Sequence, residues 1–236
     1  MRRFGRNLLR TTLAALLLLV VFGAFWFGYV PQRYSPFAPI SLADPPAWFI
    51  DPRLAALRHD PEQCRQVLQA PHIVATPIPD NVRPNGCGWT NAVRVQSVAG
   101  AEIGLSQLTC ETAAALALWM EHEVQPLAQR MFGSRVAWMQ DMGTYSCRNI
   151  IGNKRWMNTR SQHSYANAVD IGAFRLENGT RMSITRDYRA NSREGRFLRA
   201  IHERACPYFR VALGPEFNAA HHDHFHFDRG IFSSCK

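Results

Sequence analysis

Hydrophobic and polar positions divide this 236-residue chain into unequal regions. Residues 1–10, MRRFGRNLLR, carry Arg2, Arg3, Arg6 and Arg10 and no acid. An uncharged run from Thr11 to Val30 follows, close to the ~20 apolar residues that a membrane-crossing helix needs. No small-x-small cleavage pattern follows it, and Trp26 and Tyr29 suit a membrane interface. The pattern reads as an uncleaved transmembrane signal anchor over 11–30, with 1–10 as a cytoplasmic basic flank under the positive-inside rule. A cleaved signal peptide is the alternative. Residues 31–59 hold six prolines between Pro31 and Pro52 and no helical periodicity, which predicts an extended, Pro-rich tether. Residues 60–236 then have the length of one packed domain.

Within that domain, Asp60 and Pro61 supply the N-cap and first-turn proline of a short helix over DPEQCRQVLQ. AVRVQSV and EIGLSQL predict brief strands. From Thr109 to Phe132, Leu116, Trp119, Met120 and Leu127 trace one helical face, which Pro126 should kink or divide. VAWMQDMGTYSCR predicts a strand leading to a turn. NAVDIGAFRL and RMSITRDY predict a hairpin about Asn178-Gly179. GRFLRAIHERACPYFRVAL spaces Phe197, Leu198, Ile201, Ala205, Phe209 and Leu213 as a helix, closed by Gly214-Pro215. HFHFD alternates as a strand. The sum is an α+β fold, a largely antiparallel sheet packed by helices and preceded by one N-terminal transmembrane helix.

Composition adds a compartment. All six cysteines lie beyond the apolar run and none forms CxxC, so three disulfides in an oxidising environment are expected. Cys64 with Cys87 is the local pairing that suggests itself. The formal charge of +9 includes the four arginines of the basic flank, leaving +5 on the remainder. That excess suits anionic surroundings such as wall polymer or lipid headgroups. No Lys/Arg block is interleaved with aromatics, so nucleic acid is not an expected partner.

Candidate chemistry concentrates in NAAHHDHFHFDRG, residues 218–230, which holds four of the nine histidines. A strand period of two turns His224, His226 and Asp228 to one face and Phe225 and Phe227 to the other. Two imidazoles on one strand face can reach one small site, but catalytic zinc usually takes three protein ligands and a water. SQHSYANAVDIGAF, residues 161–174, offers the missing donors: His163 in a turn-like lead and Asp170 at the start of a strand. Neither is informative alone; joined to a same-face HxH they form a metal constellation. His222 is expected to face away, and His59, His72, His122 and His202 to be structural.

The pattern Ser161-x-His163-x-x-Ala166-x-Ala168-x-Asp170, followed by His224-x-His226, resembles the LAS group of zinc metallopeptidases, which includes D-alanyl-D-alanine carboxypeptidases and murein endopeptidases. The order GTYSCR, SQHSYANAVDIGAF, FLRAIHERACPYF, LGPEFNAAHHDHFHFD is similar, more closely, to the bacterial extensin-like C-terminal domain family over roughly residues 60–235. The resemblance implies zinc (Zn2+) held by His163, Asp170 and His226. His224 would stand beside the metal as base or transition-state stabiliser, and His221 matches a further active-site histidine. Two departures stand out. Ala166 replaces a usual glycine, which matters where a positive φ is required. The carboxylate base that some relatives place before their final histidine is not evident, so the role falls to His224 or Asp223.

The activity that the resemblance implies is that of a membrane-anchored, zinc-dependent peptidase or amidase acting on D-amino-acid peptide bonds of peptidoglycan through metal-activated water. Arg148, at the end of YSCR, is the candidate for binding a substrate carboxylate or the tetrahedral oxygen, and Tyr145 for orienting substrate. The inner membrane would hold the helix, with the domain periplasmic or otherwise extracytoplasmic. A non-catalytic wall-binding module of the same fold is the alternative. HExxH is absent, which excludes the helical zincin arrangement, and no Ser-Pro repeat supports a fibrous role.

Overall fold

The structure is a computed structural model; it describes residues 2–236 except 37, 46, 47 and 153. In chain order the elements are α1 (Arg2–Trp26), α2 (Ile50–Ala56), α3 (Pro61–Val67), β1 (Ile73–Ile78), β2 (Asn81–Val82), β3 (Gly88–Trp89), β4 (Ala92–Val98), β5 (Ala101–Thr109), α4 (Cys110–Trp119) and α5 (Gln125–Phe132). There follow β6 (Val136–Gly143), β7 (Ala168–Leu176), β8 (Arg181–Ser183), α6 (Ile184–Asp187), α7 (Arg193–Glu203), β9 (Val211–Leu213), β10 (Phe225–Asp228) and β11 (Ser234–Cys235). The main sheet runs β1-β4-β5-β6-β7-β10-β9-β11, with β8 beside β7. Only the β5–β6 and β9–β11 pairs are parallel, so the mixed α+β architecture with a largely antiparallel sheet stands.

Gly5–Trp26 is long and apolar enough to cross a membrane and is not buried against the rest of the chain; a signal sequence meets the same description. The helix includes the basic flank and stops at Trp26, short of the expected Val30. Phe27 and Gly28 turn back on it, donating to the carbonyls of Gly23 and Phe25.

Residues 31–59 do not form the expected extended tether. Ile40, Leu42, Leu54 and Leu57 are buried in the core, and α2 packs on α4. The buried Arg53 guanidinium donates to the carbonyls of Arg33, Ala38 and Pro39, and the His122 ring bonds the Leu42 carbonyl at 2.9 Å. Asp51 accepts from Arg210 and Arg229, and the fully buried Arg229 also pairs with buried Glu111. The prolines hide this packing from a periodicity count, because Ile40, Leu42, Leu54 and Leu57 fall on no single period.

Asp60 caps α3 as expected, accepting from the Gln63 amide at 2.9 Å. The long helix predicted over 109–132 is divided by a π turn at Met120–Val124, where the Gln125 amide reaches back to the Met120 carbonyl. Pro126, which has no N–H, sits one residue further on. Trp119 is buried at the centre, its indole N–H donating to the Ile201 carbonyl at 2.9 Å.

Two further expectations are corrected. The helix expected to run to Leu213 ends at Glu203, and the chain turns through Cys206-Pro207 into β9. Phe209 and Leu213 are buried all the same, which is what the helical spacing had detected. The disulfides are Cys64–Cys110, Cys87–Cys147 and Cys206–Cys235, not Cys64–Cys87. Cys64 on α3 faces the first residue of α4, a long-range pairing that proximity in sequence cannot give.

Candidate metal centre

Strand β10 separates its side chains as the alternation predicts. Phe225 and Phe227 are fully buried, and Phe227 packs against Trp119 and Phe209 with ring centroids 5.2 Å and 4.8 Å away. His226 occupies the opposite face. In the antiparallel register with β7 it stands directly across from Asp170, and its Nδ1 lies 2.9 Å from Asp170 Oδ1. His163 comes from a 3-10 turn over Gln162–Tyr165, opened by the Ser161 hydroxyl accepting from the His163 amide. Ala166 closes that turn in the left-handed region at φ 52°, so the glycine usual at this position would be conformationally easier.

The three side chains converge. His163 Nε2 lies 3.2 Å from Asp170 Oδ2 and 3.1 Å from His226 Nδ1, and one ligand atom from each residue falls within 4.8 Å of the others. Asp228, one face-repeat beyond His226, adds an acceptor that sequence reasoning placed on this face without giving it a role. Its Oδ2 lies 3.1 Å from His226 Nε2, and its Oδ1 accepts from the Gly230 amide. With Asp228 beside Nε2, a metal held at Nδ1 would leave the His226 proton on Nε2, whereas without one both ring nitrogens donate, to Asp170 and to Asp228.

Electrostatics sharpen the point. Burial by itself disfavours charge on both groups, yet hydrogen bonds from His163 and His226 hold the Asp170 carboxyl well below the ordinary carboxylate range. Burial likewise pushes His226 down, and Asp170 with Asp228 outweigh it and raise it to about 9. Two imidazole nitrogens and a carboxylate aimed at one point repel unless a proton or cation lies between them. A His, His, Asp donor set is chemically suited to zinc.

His224 and His221 flank this cluster. His224 Nδ1 meets Asp223 at 2.8 Å while its Nε2 faces Asp170 Oδ1 at 3.6 Å. The His221 ring lies 5.3 Å from that of His224 and 5.6 Å from that of His226. Its Nδ1 bonds Asn218 Oδ1 at 2.7 Å. Burial, then the charges of His226 and His224, lowers His221 to about 4, so it is neutral at neutral pH. His222 points outward, its side chain 61% exposed.

Asp170, His221, His224, His226 and Asp228 line a cavity of about 430 Å³ with Arg148, Arg160, Trp156, Phe217 and Phe232. Arg148 is placed by a backbone zipper: the Ser146 amide donates to the His163 carbonyl, and the Ser161 amide to the Arg148 carbonyl. The Ser164 hydroxyl completes it, donating to the Arg148 carbonyl at 2.7 Å. Tyr145 packs edge-on against Trp89, centroids 4.9 Å apart, and does not line this cavity, so it is not brought to the site as the substrate-orienting group expected of it. Arg160 and the aromatic wall carry no sequence signal, since Trp156 and Arg160 belong to an irregular loop, Phe217 to the connection between β9 and β10, and Phe232 to the turn before β11.

The fold and the site together define a domain class, and the family model Extensin-like protein C-terminus matches residues 62–236. The chain belongs to that family. No curated protein and no solved structure matches it.

Proposed function

We propose that this protein is a zinc-dependent peptidase or amidase that acts on peptide bonds of peptidoglycan outside the cytoplasmic membrane, to which its apolar N-terminal helix anchors it. The observation that carries this reading is the convergence of His163 Nε2, Asp170 and His226 Nδ1, with Asp228 behind His226, on the wall of a cavity that Asp170, His226 and Arg148 line. The motif's resemblance to the LAS peptidases supports the same assignment.

His163, Asp170 and His226 would hold the zinc, which when bound would supply a water of near-neutral pKa and polarise the scissile carbonyl. The remaining work falls to the chain's own groups. Asp223 fixes His224 through Nδ1 and leaves Nε2 toward the site, where it takes a proton and returns it to the leaving amine. His221, neutral at the working pH, accepts a hydrogen bond at the nitrogen that Asn218 leaves free. Arg148 binds the substrate carboxylate or the developing oxyanion, and Trp156 and Phe232 wall the cavity against bulk water.

Metal analysis of the protein with His163, Asp170 and His226 each replaced by Ala tests the ligand set. Zinc should be lost in each, and undiminished zinc in all three would sink the assignment. His224→Ala should abolish hydrolysis of crosslinked muropeptides while keeping most of the zinc. Wild-type protein with full zinc that never cleaves them would leave a wall-binding module.

A further inference from the structure

A second cavity, of about 380 Å³, adjoins the first, and no part of the proposed chemistry uses it. Gln162 lines both. The chain that separates them also alternates between them, with Asp228 in the first and Arg229 in the second. Gln162 therefore stands at their boundary. Gln162 lies over Gly230 so closely that a Cβ there would stand 2.6 Å from Gln162 Cδ, and its Oε1 is held by the Asn167 amide at 2.8 Å.

The walls of the two cavities are also braced to each other. Cys87 lines the second, and its disulfide partner Cys147 immediately precedes Arg148 of the first. Arg160, on the wall of the first, donates to the Asn85 carbonyl two residues before Cys87. The pair is therefore built as one groove. The second cavity carries aromatic Trp89 and Tyr165, and its lips are Val82 and Ile231, 72% and 79% exposed. Exposed apolar side chains at the mouth of a cleft mark a surface that a ligand covers. Thr90, Gln162 and His59 place polar groups among them, and the Arg58–Glu111–Arg229 ion-pair network forms part of the same wall, a lining suited to a peptide chain, whose amides and apolar side chains both find partners.

We infer that the second cavity is a binding subsite for the part of a wall peptide that continues beyond the scissile bond. The site then holds chain on both sides of the bond and is built for crosslinked rather than terminal peptide. This rests on the peptidase reading for the identity of its ligand, and binding tests it without turnover.

The full chain in detergent micelles, stripped of metal with chelator, is titrated with a crosslinked dimeric muropeptide and with the matching monomer. The dimer should bind at least about tenfold more tightly, and Val82→Asp combined with Ile231→Asp should bring that ratio close to one. Both positions are exposed, so the variant is expected to fold. A wild-type ratio near one, or a ratio the variant leaves unchanged, overturns the subsite. Peptide-free glycan that competes with the dimer for the second cavity also overturns it. Hydrolysis by zinc-loaded protein is scored separately. A dimer preference without cleavage removes the peptidase reading and keeps the subsite, whereas cleavage with equal binding does the reverse.

Discussion

Leu54→Ala probes the segment that composition made look like a tether. Leu54 is fully buried, and so is Leu57 one turn later; both belong to the core although they precede the stretch shared with the family, residues 62–236. Truncating a buried leucine to alanine removes its transfer free energy and leaves a cavity, costing ~2–5 kcal/mol. Three neighbouring anchors resist collapse of that cavity: the Asp51 bridges to Arg210 and Arg229, the Arg53 bonds to three carbonyls, and the Asn91 amide on the Leu57 carbonyl at 2.7 Å. A loss of ~3 kcal/mol is therefore expected. With a urea slope of ~2 kcal/mol/M, the midpoint should fall by ~1.5 M. The assay is equilibrium urea unfolding with disulfides intact, followed by tryptophan fluorescence. Substitutions in a solvated linker stay within ~0.5 kcal/mol, so a midpoint that moves by less than ~0.3 M would refute the docking of this segment.

Stability of the chelated protein should peak near pH 6.5. His226 is raised to about 9, so its contribution is complete below the unfolded value of ~6.5 and is lost as pH climbs through 9. His221 is lowered to about 4, so the unfolded chain takes up its proton first and stability falls as pH drops below ~6.5. Saturating zinc should reverse the alkaline limb, because metal binding displaces the His226 proton; urea midpoints with and without zinc check both limbs, and a flat profile from 6.5 to 9 counts against the cluster. Gly230→Ala should cost ~1–3 kcal/mol as the new methyl displaces Gln162, and chemical denaturation reads it directly. Replacing Cys87 and Cys147 together by serine opens a link with a sequence separation of 60 and should cost ~4 kcal/mol, measured the same way.

The sequence reading succeeded where one local rule decides the outcome. Alternation in HFHFD turned His226 and Phe227 to opposite faces, a proline and an aspartate opened α3, and Asn178-Gly179 marked a real hairpin. It reached His163 and Asp170 only by joining separate segments, and the β7–β10 register is what brings Asp170 opposite His226. It failed where tertiary contacts overrule spacing. Helical periodicity continued to Leu213 because Phe209 and Leu213 are buried beside the sheet, and no count along the chain could tell that from a helix. Asp228 was placed correctly and given no task, since its value lies in the second ring nitrogen of a histidine whose first nitrogen is committed elsewhere. The partners of Cys64 and Cys87, and the second cavity, depend on segments that meet only after folding.

The Arg53 clasp also sets a distance. Once the carbonyl of Arg33 is caught, residues 27–32 are all the chain that lies between it and α1, and Phe27, Gly28 and Tyr29 still bond back to helix carbonyls. Fully stretched at ~3.3–3.6 Å per residue, that leash extends only ~20 Å. If α1 lies in a bilayer, as proposed, the domain stays within a thin shell above the lipid, and any ligand further out has to be brought within that reach.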